Sequence, residues 1–329
     1  MKILVTGGSG FIGSNFILRF LEKNPSSQII NLDAMVKGSN VQNFKNFHNK
    51  NYSFIKGNIG NFALLEKLIP KVDLVVNFAA ESHVDRSIAN PKIFMKTNFY
   101  GVYNILEILK KYKKTRLLHI STDEVYGESL KKYCTENDIL NPSNPYSASK
   151  ASAEMLIHSY IRTYDLDAII TRSTNNYGPR QFPEKLIPKT ILSIHKNQSI
   201  PVHGKGKAKR QWIHVYDHCD ALMKIISNWK GSGIYNVAGN TETSNLDLIK
   251  FILKTMGKSK NLISFVEDRP GQDRAYRVNA KKLQSEFSIS PKIKLYDGIK
   301  STVDWYLENI DWWKKLPFDK IKNPTPWVK

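Results

Sequence analysis

The sequence predicts an α/β fold: a doubly wound parallel sheet with a smaller C-terminal lobe that binds substrate. Three observations lead there. Short apolar runs alternate with helical spacing through the first half of the chain, a glycine-rich turn joins the first run directly to a helical stretch, and prolines break the pattern after Asn176. Strand–helix alternation of this kind builds βαβ units into a parallel sheet with helices on both faces.

Residues 2–6, 28–33, 52–56, 73–79 and 116–121 are short apolar runs and read as strands. Stretches near 11–23, 61–69, 91–111 and 146–163 read as helices, and a further strand runs from Asp167 to Arg172. Beyond Asn176, Pro179, Pro183, Pro188 and Pro201 cut the chain into short pieces, before a strand at Ile234–Val237 and a helix near 244–256. The domain reading is therefore a nucleotide-binding unit over 1–175, to which elements near 211–240 return, and mainly a smaller lobe over 176–329.

Bulk properties narrow the classes. The 329 residues are 41% hydrophobic with 6 Trp, 15 Tyr and 15 Phe, ample for a buried core and incompatible with disorder. Only Cys134 and Cys219 are present, without metal-ligand spacing, so a reducing compartment is expected and neither a zinc site nor a disulfide framework is. No apolar run approaches the roughly 20 residues of a membrane helix, and Met1 leads straight into a strand with no cleavable leader pattern. A cytoplasmic protein without membrane or metal is the expectation. The net charge of +20 comes from lysines scattered along the chain, with small clusters at 110–114 and 205–210. No basic motif interleaved with aromatics accompanies them, so nucleic acid is not the expected partner. The surplus suits a phosphorylated substrate.

Gly7-Gly-Ser-Gly10-Phe11-Ile12-Gly13 closes the first strand and opens a helix. Glycines there allow a tight turn and close approach of backbone to a pyrophosphate, which the helix N-terminus then favours. This is a Rossmann-type dinucleotide fingerprint. Asp33 ends the second strand twenty residues beyond Gly13. A carboxylate there accepts from ribose hydroxyls and repels a 2′-phosphate, which favours NAD over NADP. Asn58 and Ile59 after the third strand, and Ala79 and Ala80 after the fourth, lie at further strand C-termini, where open α/β sheets bind ligands.

Two stretches carry chemistry. In "YSASK", Tyr146 and Lys150 are four apart and share a helix face. A phenol with pKa about 10 is a poor base until a neighbouring ammonium and an oxidised nicotinamide stabilise its anion. In "HISTDEVYG", Thr122, Asp123 and Glu124 stand together at a strand end. Two adjacent acids there suit a reaction that moves more than one proton, and crowding keeps one of them protonated.

"AAESHVDRSI" (79–88), "STDEVYG" (121–127), "NPYSASKASAE" (144–154), "NNYGPRQFPEKLIP" (175–188), "RQWIHVYDH" (210–218) and "DRPGQDR" (268–274) complete a pattern covering nearly the whole chain. With the glycine fingerprint, it resembles the dTDP-glucose 4,6-dehydratases, a family of extended short-chain dehydrogenase/reductases acting on nucleotide sugars. The Thr-Asp-Glu triplet is its most specific element. The resemblance implies transient oxidation of C4, loss of water across C5–C6, and return of the hydride to C6. Tyr146 with Lys150 would serve O4, Thr122 would steady it, Glu124 would act as base at C5 and Asp123 as acid at O6. Thr97 and Asn176 would help hold NAD. Ser82, Asn175, Lys185, Leu186, Pro201, His203, Arg210, Asn245 and Arg274 would contact the nucleotide-diphosphate hexose. A homodimer through the helices near 91–111 and 146–163 is implied as well.

The chain departs from the family at Asn58, where Asp is usual, at His203, where Tyr is frequent, and in a short 127–142 segment. Dehydratases of UDP-, CDP- or GDP-hexoses therefore stay open, followed by sugar epimerases or decarboxylases, which need no acid–base pair at C5 and C6. A non-catalytic NAD- or RNA-binding protein has no need of Tyr146, Lys150, Asp123 and Glu124 together.

Overall fold

A computed structural model describes residues 1–316, 318 and 325–327; the rest of the segment assigned to the lobe, up to 329, lies outside the described residues. The main sheet contains β1 (Lys2–Thr6), β2 (Gln28–Asp33), β3 (Tyr52–Lys56), β4 (Leu74–Asn77), β5 (Arg116–Thr122) and β6 (Ala168–Ser173). The lobe begins with β7 (Asn175–Tyr177), β8 (Ile200–His203) and β9 (Lys209–His214); β10 (Gly233–Val237) then completes the main sheet. Its order is β10-β6-β5-β4-β1-β2-β3, every pairing parallel.

Alternation along each strand divides the core into two layers. Ile3 and Val5 of β1 pack with Phe16, Ile17 and Leu21 of helix Phe11–Lys23 and with Leu222 and Ile225 of helix Val215–Ser227. Leu4 between them faces the other way, onto Val102, Ile105 and Leu109 of helix Gly101–Lys111 and Ile157 of helix Pro145–Tyr164. Burial on both faces is why these strands read as continuous apolar runs.

Two expectations need correction. The fourth strand stops at Asn77, leaving Phe78 to Ala80 as the loop that enters the site. The return to the main sheet starts at Val215 rather than near 211, because β9 pairs with β7, β11 (Thr241–Ser244) and β13 (Ala275–Tyr276) in a second sheet. The remaining strand, β12 (Ile263–Val266), pairs with β8. The prolines also cut less than their number implies. Pro188 lies in the first turn of helix Leu186–His195, where a missing N–H leaves no intrahelical bond unmade.

Helices Leu186–His195, Asn245–Thr255 and Leu295–Glu308 enclose a third core around Ile191, Ile252, Val303 and Tyr306. From its far end, Trp312 Nε1 donates to Asn43 Oδ1 at 2.8 Å and its carbonyl accepts from Asn40 Nδ2 at 3.3 Å. Asn43 in turn donates to the Ser9 carbonyl at 3.0 Å. The loop after β2 is thus fastened to the glycine turn on one side and to the end of the lobe on the other. Among the described residues, no helix is long and apolar enough to cross a membrane.

Candidate active site

Sheet order reverses between β1 and β4. At that switch point lies a cavity of about 520 Å³, where open α/β sheets bind ligands. Every residue read as cofactor-binding lines it: Gly7, Gly10, Phe11, Ile12, Gly13, Asp33, Asn58, Ile59, Ala79, Ala80, Thr97, Tyr146, Lys150 and Asn176. The backbone here has the form a dinucleotide needs. Gly7 has φ +69°, and a Cβ on Gly13 would stand 2.6 Å from the Gly7 carbonyl oxygen. Helix Phe11–Lys23 has neither an acidic residue in its first turn nor a side-chain cap, which leaves its first N–H groups to an anion. Asp33 is held rigidly, with Oδ2 accepting from Ser9 N and Oδ1 from Met35 N and Ser39 Oγ, each at 2.8 Å. These features fit NAD. Gly13→Ala should weaken NAD binding at least tenfold by titration calorimetry and also lower the melting temperature, because its methyl would meet backbone of the glycine turn at 2.6 and 2.8 Å and force that turn to move.

Thr97 lies in a π-helical turn, Met95–Tyr100, inside the helical run from Pro91 to Lys111. That turn buries the Asn98 amide, which bonds both the N–H and the carbonyl of Glu81 at 2.8 and 2.9 Å and so fixes the loop after β4.

β5 carries Thr122 to the crevice, and a 3₁₀ turn, Asp123–Tyr126, follows at once. Thr122 Oγ1 accepts from Glu124 N at 3.3 Å. Behind the turn, Ser121 donates to Glu154, which is paired with Arg172 at 2.7 Å, and Arg172 holds the Tyr126 hydroxyl, also at 2.7 Å. This buried network sets the turn's direction. Asp123 is 2% exposed and its Oδ2 has no hydrogen-bond partner among the described residues. Burial, with Glu124 adjacent, pushes its carboxyl up to about 8. The Glu124 carboxyl is raised by burial too, against the pull of Arg210, Lys185 and Arg269.

Asn144 caps helix Pro145–Tyr164 through a capping box with Ser147, and its amide lies 3.4 Å from Glu124 Oε2. The same cap therefore starts the helix that bears Tyr146 and touches the neighbouring acid. Burial and Glu124 push the Tyr146 phenol up, while a hydrogen bond with Thr122 pulls it down. In the protein alone, then, the phenol lies above its ordinary value, and the lowering expected from Lys150 is not among the effects acting on it. Lys150 is itself pushed down to about 8 by burial; its Nζ donates to the Ile120 carbonyl at 2.7 Å.

A second cavity, of about 620 Å³, opens between the lobe and the sheet. It is lined by Asn175, Lys185, Leu186, Pro201, His203, Arg210, Asn245 and Arg274, whereas Ser82 and Thr122 face the first cavity. Glu124, Asn175, Glu184 and Lys185 line both, so the two spaces meet at Glu124. Lys185 Nζ donates to the Ser82 carbonyl at 2.5 Å across that junction. The Arg210 guanidinium donates to the Lys209 and Asp273 carbonyls at 2.7 and 3.0 Å and lies 4.2 Å from the Tyr276 ring centre. Arg274 is different. Its side chain is 73% exposed and doubly bonded to Glu128, so it must exchange that pair to grip a phosphate. His203 accepts no proton readily, since burial lowers its ring below the usual range.

Sequence reasoning missed Lys189 and Arg269, two further cations on this cavity, and Asp85, which pairs with Arg269 at 2.5 Å. Asp85 and Arg269 stand within stretches that carry the family resemblance, and Lys189 immediately follows another. What the sequence lacked was any sign of which charges face each other.

Comparison with known proteins agrees with this arrangement. The family described as GDP-mannose 4,6 dehydratase matches residues 4–302. A dTDP-glucose 4,6-dehydratase from Streptomyces niveus is 40% identical over 321 residues, covering 96% of each chain. The low-salt glycan biosynthesis protein Agl12 of Haloferax volcanii is 43% identical over 308 residues, covering 93% of this chain and 99% of its own. The crystal structure of dTDP-glucose 4,6-dehydratase from Bacillus anthracis in complex with NAD superposes with a TM-score of 0.88 at 42% identity, covering 95% of this chain and 99% of that one. With its fingerprint, its Tyr-Lys pair and its paired acids in place, the chain belongs to the dTDP-glucose 4,6-dehydratase family of extended short-chain dehydrogenase/reductases.

Proposed function

We propose that this protein is an NAD-dependent dTDP-glucose 4,6-dehydratase, releasing water and a 4-keto-6-deoxy nucleotide sugar. One observation carries the reading. Two carboxyl groups, Asp123 and Glu124, stand beside Tyr146 where the cofactor crevice meets the larger cavity. A C4 epimerase needs neither.

NAD in the crevice supplies the acceptor for the C4 hydride and later the donor to C6. The chain's own groups move the protons. Tyr146 takes the O4 proton, with Lys150 and Thr122 stabilising the charge that forms. With C4 a ketone, the C5 proton becomes acidic, and Glu124 removes it as general base. Asp123, protonated through most of the physiological range, delivers its proton to the departing O6. Glu124 then returns a proton to C5. Lys185, Lys189, Arg210 and Arg269 give the larger cavity the positive lining a diphosphate requires. Arg210, buried and anchored by two carbonyls, is the best placed of them for fork-like recognition of phosphate.

The Asp123 carboxyl has a pH signature. Its pKa is raised, so the acid form is present below about 8 and is lost as pH rises through that value. Single-turnover elimination should therefore fall on the alkaline side with a midpoint near there, and Asp123→Asn should be slow at every pH and lack that limb.

The Streptomyces niveus and Bacillus anthracis relatives are named for dTDP-glucose, and a panel of dTDP-, UDP-, CDP- and GDP-hexoses tests thymidine as the base here. Absence of the 4-keto-6-deoxy chromophore in alkali, and of a mass loss of one water, with every hexose would sink the dehydratase reading. Product from UDP-glucose alone would move only the base. We further read the protein as a cytoplasmic homodimer. Ile93, Tyr100, Tyr103 and Met155 are exposed on the helices over 91–111 and 145–164, an apolar surface suited to a symmetric helical interface.

A further inference from the structure

Beneath the lysine of the Tyr-Lys pair, buried polar side chains run through the interior of the sheet. Lys150 Nζ lies 3.2 Å from His119 Nε2, and His119 Nδ1 lies 3.0 Å from the Asn77 side-chain amide. That contact is with Asn77 Nδ2, while Asn77 Oδ1 accepts from the Thr6 hydroxyl at 2.5 Å. The residues come from the helix above the sheet and from β5, β4 and β1 in turn. His119 and Thr6 are wholly buried, Asn77 is 1% exposed and Lys150 3%. The line ends at Thr6 among apolar side chains of β1, so it offers a proton no exit to water.

A histidine between Leu118 and Ile120 in a central strand is expensive to bury without cause. Burial and the Lys150 ammonium push its ring well below the usual range, so it is neutral. A neutral imidazole has one acceptor nitrogen and one donor. An ammonium only donates, so beside Lys150 the acceptor must be Nε2 and the hydrogen must sit on Nδ1. Nδ1–H then requires the amide oxygen of Asn77, so the Asn77 amide is turned over relative to the contacts above, an exchange of O for N that leaves its shape unchanged, and its NH₂ then donates to Thr6 Oγ1. With Lys150 an ammonium, this arrangement sets a donor against an acceptor at each of the three contacts.

We propose that His119 is a positioning residue for Lys150, its Nε2 lone pair holding one ammonium proton while the Ile120 carbonyl holds another, so that the third faces the crevice and Tyr146. Two fixed acceptors on consecutive residues of β5 determine where the charge points. The other charged group that acts on Lys150 is Glu154, one turn further along its helix, and Glu154 is itself paired with Arg172. The neutral ring thus adds direction without neutralising the ammonium that the phenolate needs.

The inference rests on the reading that Tyr146 and Lys150 drive C4 oxidation, and two measurements keep the two apart. Nitrogen-15 NMR of the histidine-labelled full-length protein reports the ring without any catalysis. One resonance pair, absent in His119→Gln, should show Nδ1 protonated and Nε2 bare, unchanged through the neutral pH range. A ring protonated on Nε2, or one that titrates there, overturns the proposal. In single-turnover assays His119→Leu should slow the appearance of NADH absorbance about 100-fold, the scale of a catalytic group misplaced by about 1 Å, and should move the pH midpoint of that step. His119→Gln, whose side-chain oxygen reaches close to the Nε2 position, should recover most of the rate. A His119→Leu variant with wild-type rate and midpoint overturns the proposal, as does a folded His119→Gln as slow as His119→Leu. Should His119→Leu fail to fold, the ring NMR and the Gln variant decide. Wild-type protein inactive on every sugar would defeat the dehydratase reading, while the ring tautomer would still settle the role of His119.

Discussion

Glu124→Gln should leave C4 oxidation running while elimination falls by about 10²–10⁴-fold, the usual worth of a positioned general base. The substitution is close to isosteric. A glutamine oxygen can still accept from the Asn144 amide, so the turn and the helix cap keep their geometry. What disappears is the only property the C5 step needs, a lone pair basic enough to take a carbon-bound proton. With substrate in deuterated buffer, the variant should show NADH absorbance that rises and persists, with no deuterium at C5 by mass spectrometry. Deuterium entering C5 at the wild-type rate would transfer the base role to another group, and Glu184, which also borders both cavities, is the first to examine.

Tyr146→Phe should stop the reaction one step earlier, with NADH formation and C5 exchange both reduced by about 10³-fold or more, within the range that proton transfer contributes. Little else should change. The Tyr146 N–H donates to Ser87 Oγ at 3.2 Å, and the ring meets Phe94 edge-on at 6.4 Å; neither contact uses the hydroxyl. Nucleotide-sugar affinity should therefore persist, which equilibrium dialysis can check. Together the two variants separate the order of events. Glu124→Gln permits reduction of the cofactor without exchange, and Tyr146→Phe permits neither. A Tyr146→Phe enzyme that reduces the cofactor normally would remove the phenol from the mechanism.

The main sheet was legible in the sequence because its central strands are buried on both faces and its helices are long, so short continuous apolar runs alternate with a helical period. The paired acids were legible for a different reason. Asp123 and Glu124 are neighbours in the chain, and the strand preceding them leaves one place for them to go. The lobe was far less legible. Its strands are short, several pair with partners distant in sequence, and Pro188 looks like a break although it begins a helix. Nor does the chain signal that Arg274 spends its charge on Glu128, or that Lys189 and Arg269 converge on one cavity, since these depend on how loops lie against each other and against helix Leu186–His195, which no periodicity encodes. His119 was visible as a letter in a strand; its meaning needed Lys150 and Asn77 placed on either side of it.

The fastening of the loop after β2 also bears on how the protein is made. Asn40 and Asn43 reach the glycine turn from nearby in the chain, but their contacts with Trp312 span 272 and 269 residues. On the ribosome the nucleotide-binding half emerges first and begins to fold alone. The cover over its Asp33 side must wait for the lobe to be synthesised, packed and brought round. The glycine turn is therefore made early but completed late, and a nascent chain holds an open crevice until the helical turn that carries Trp312 is released.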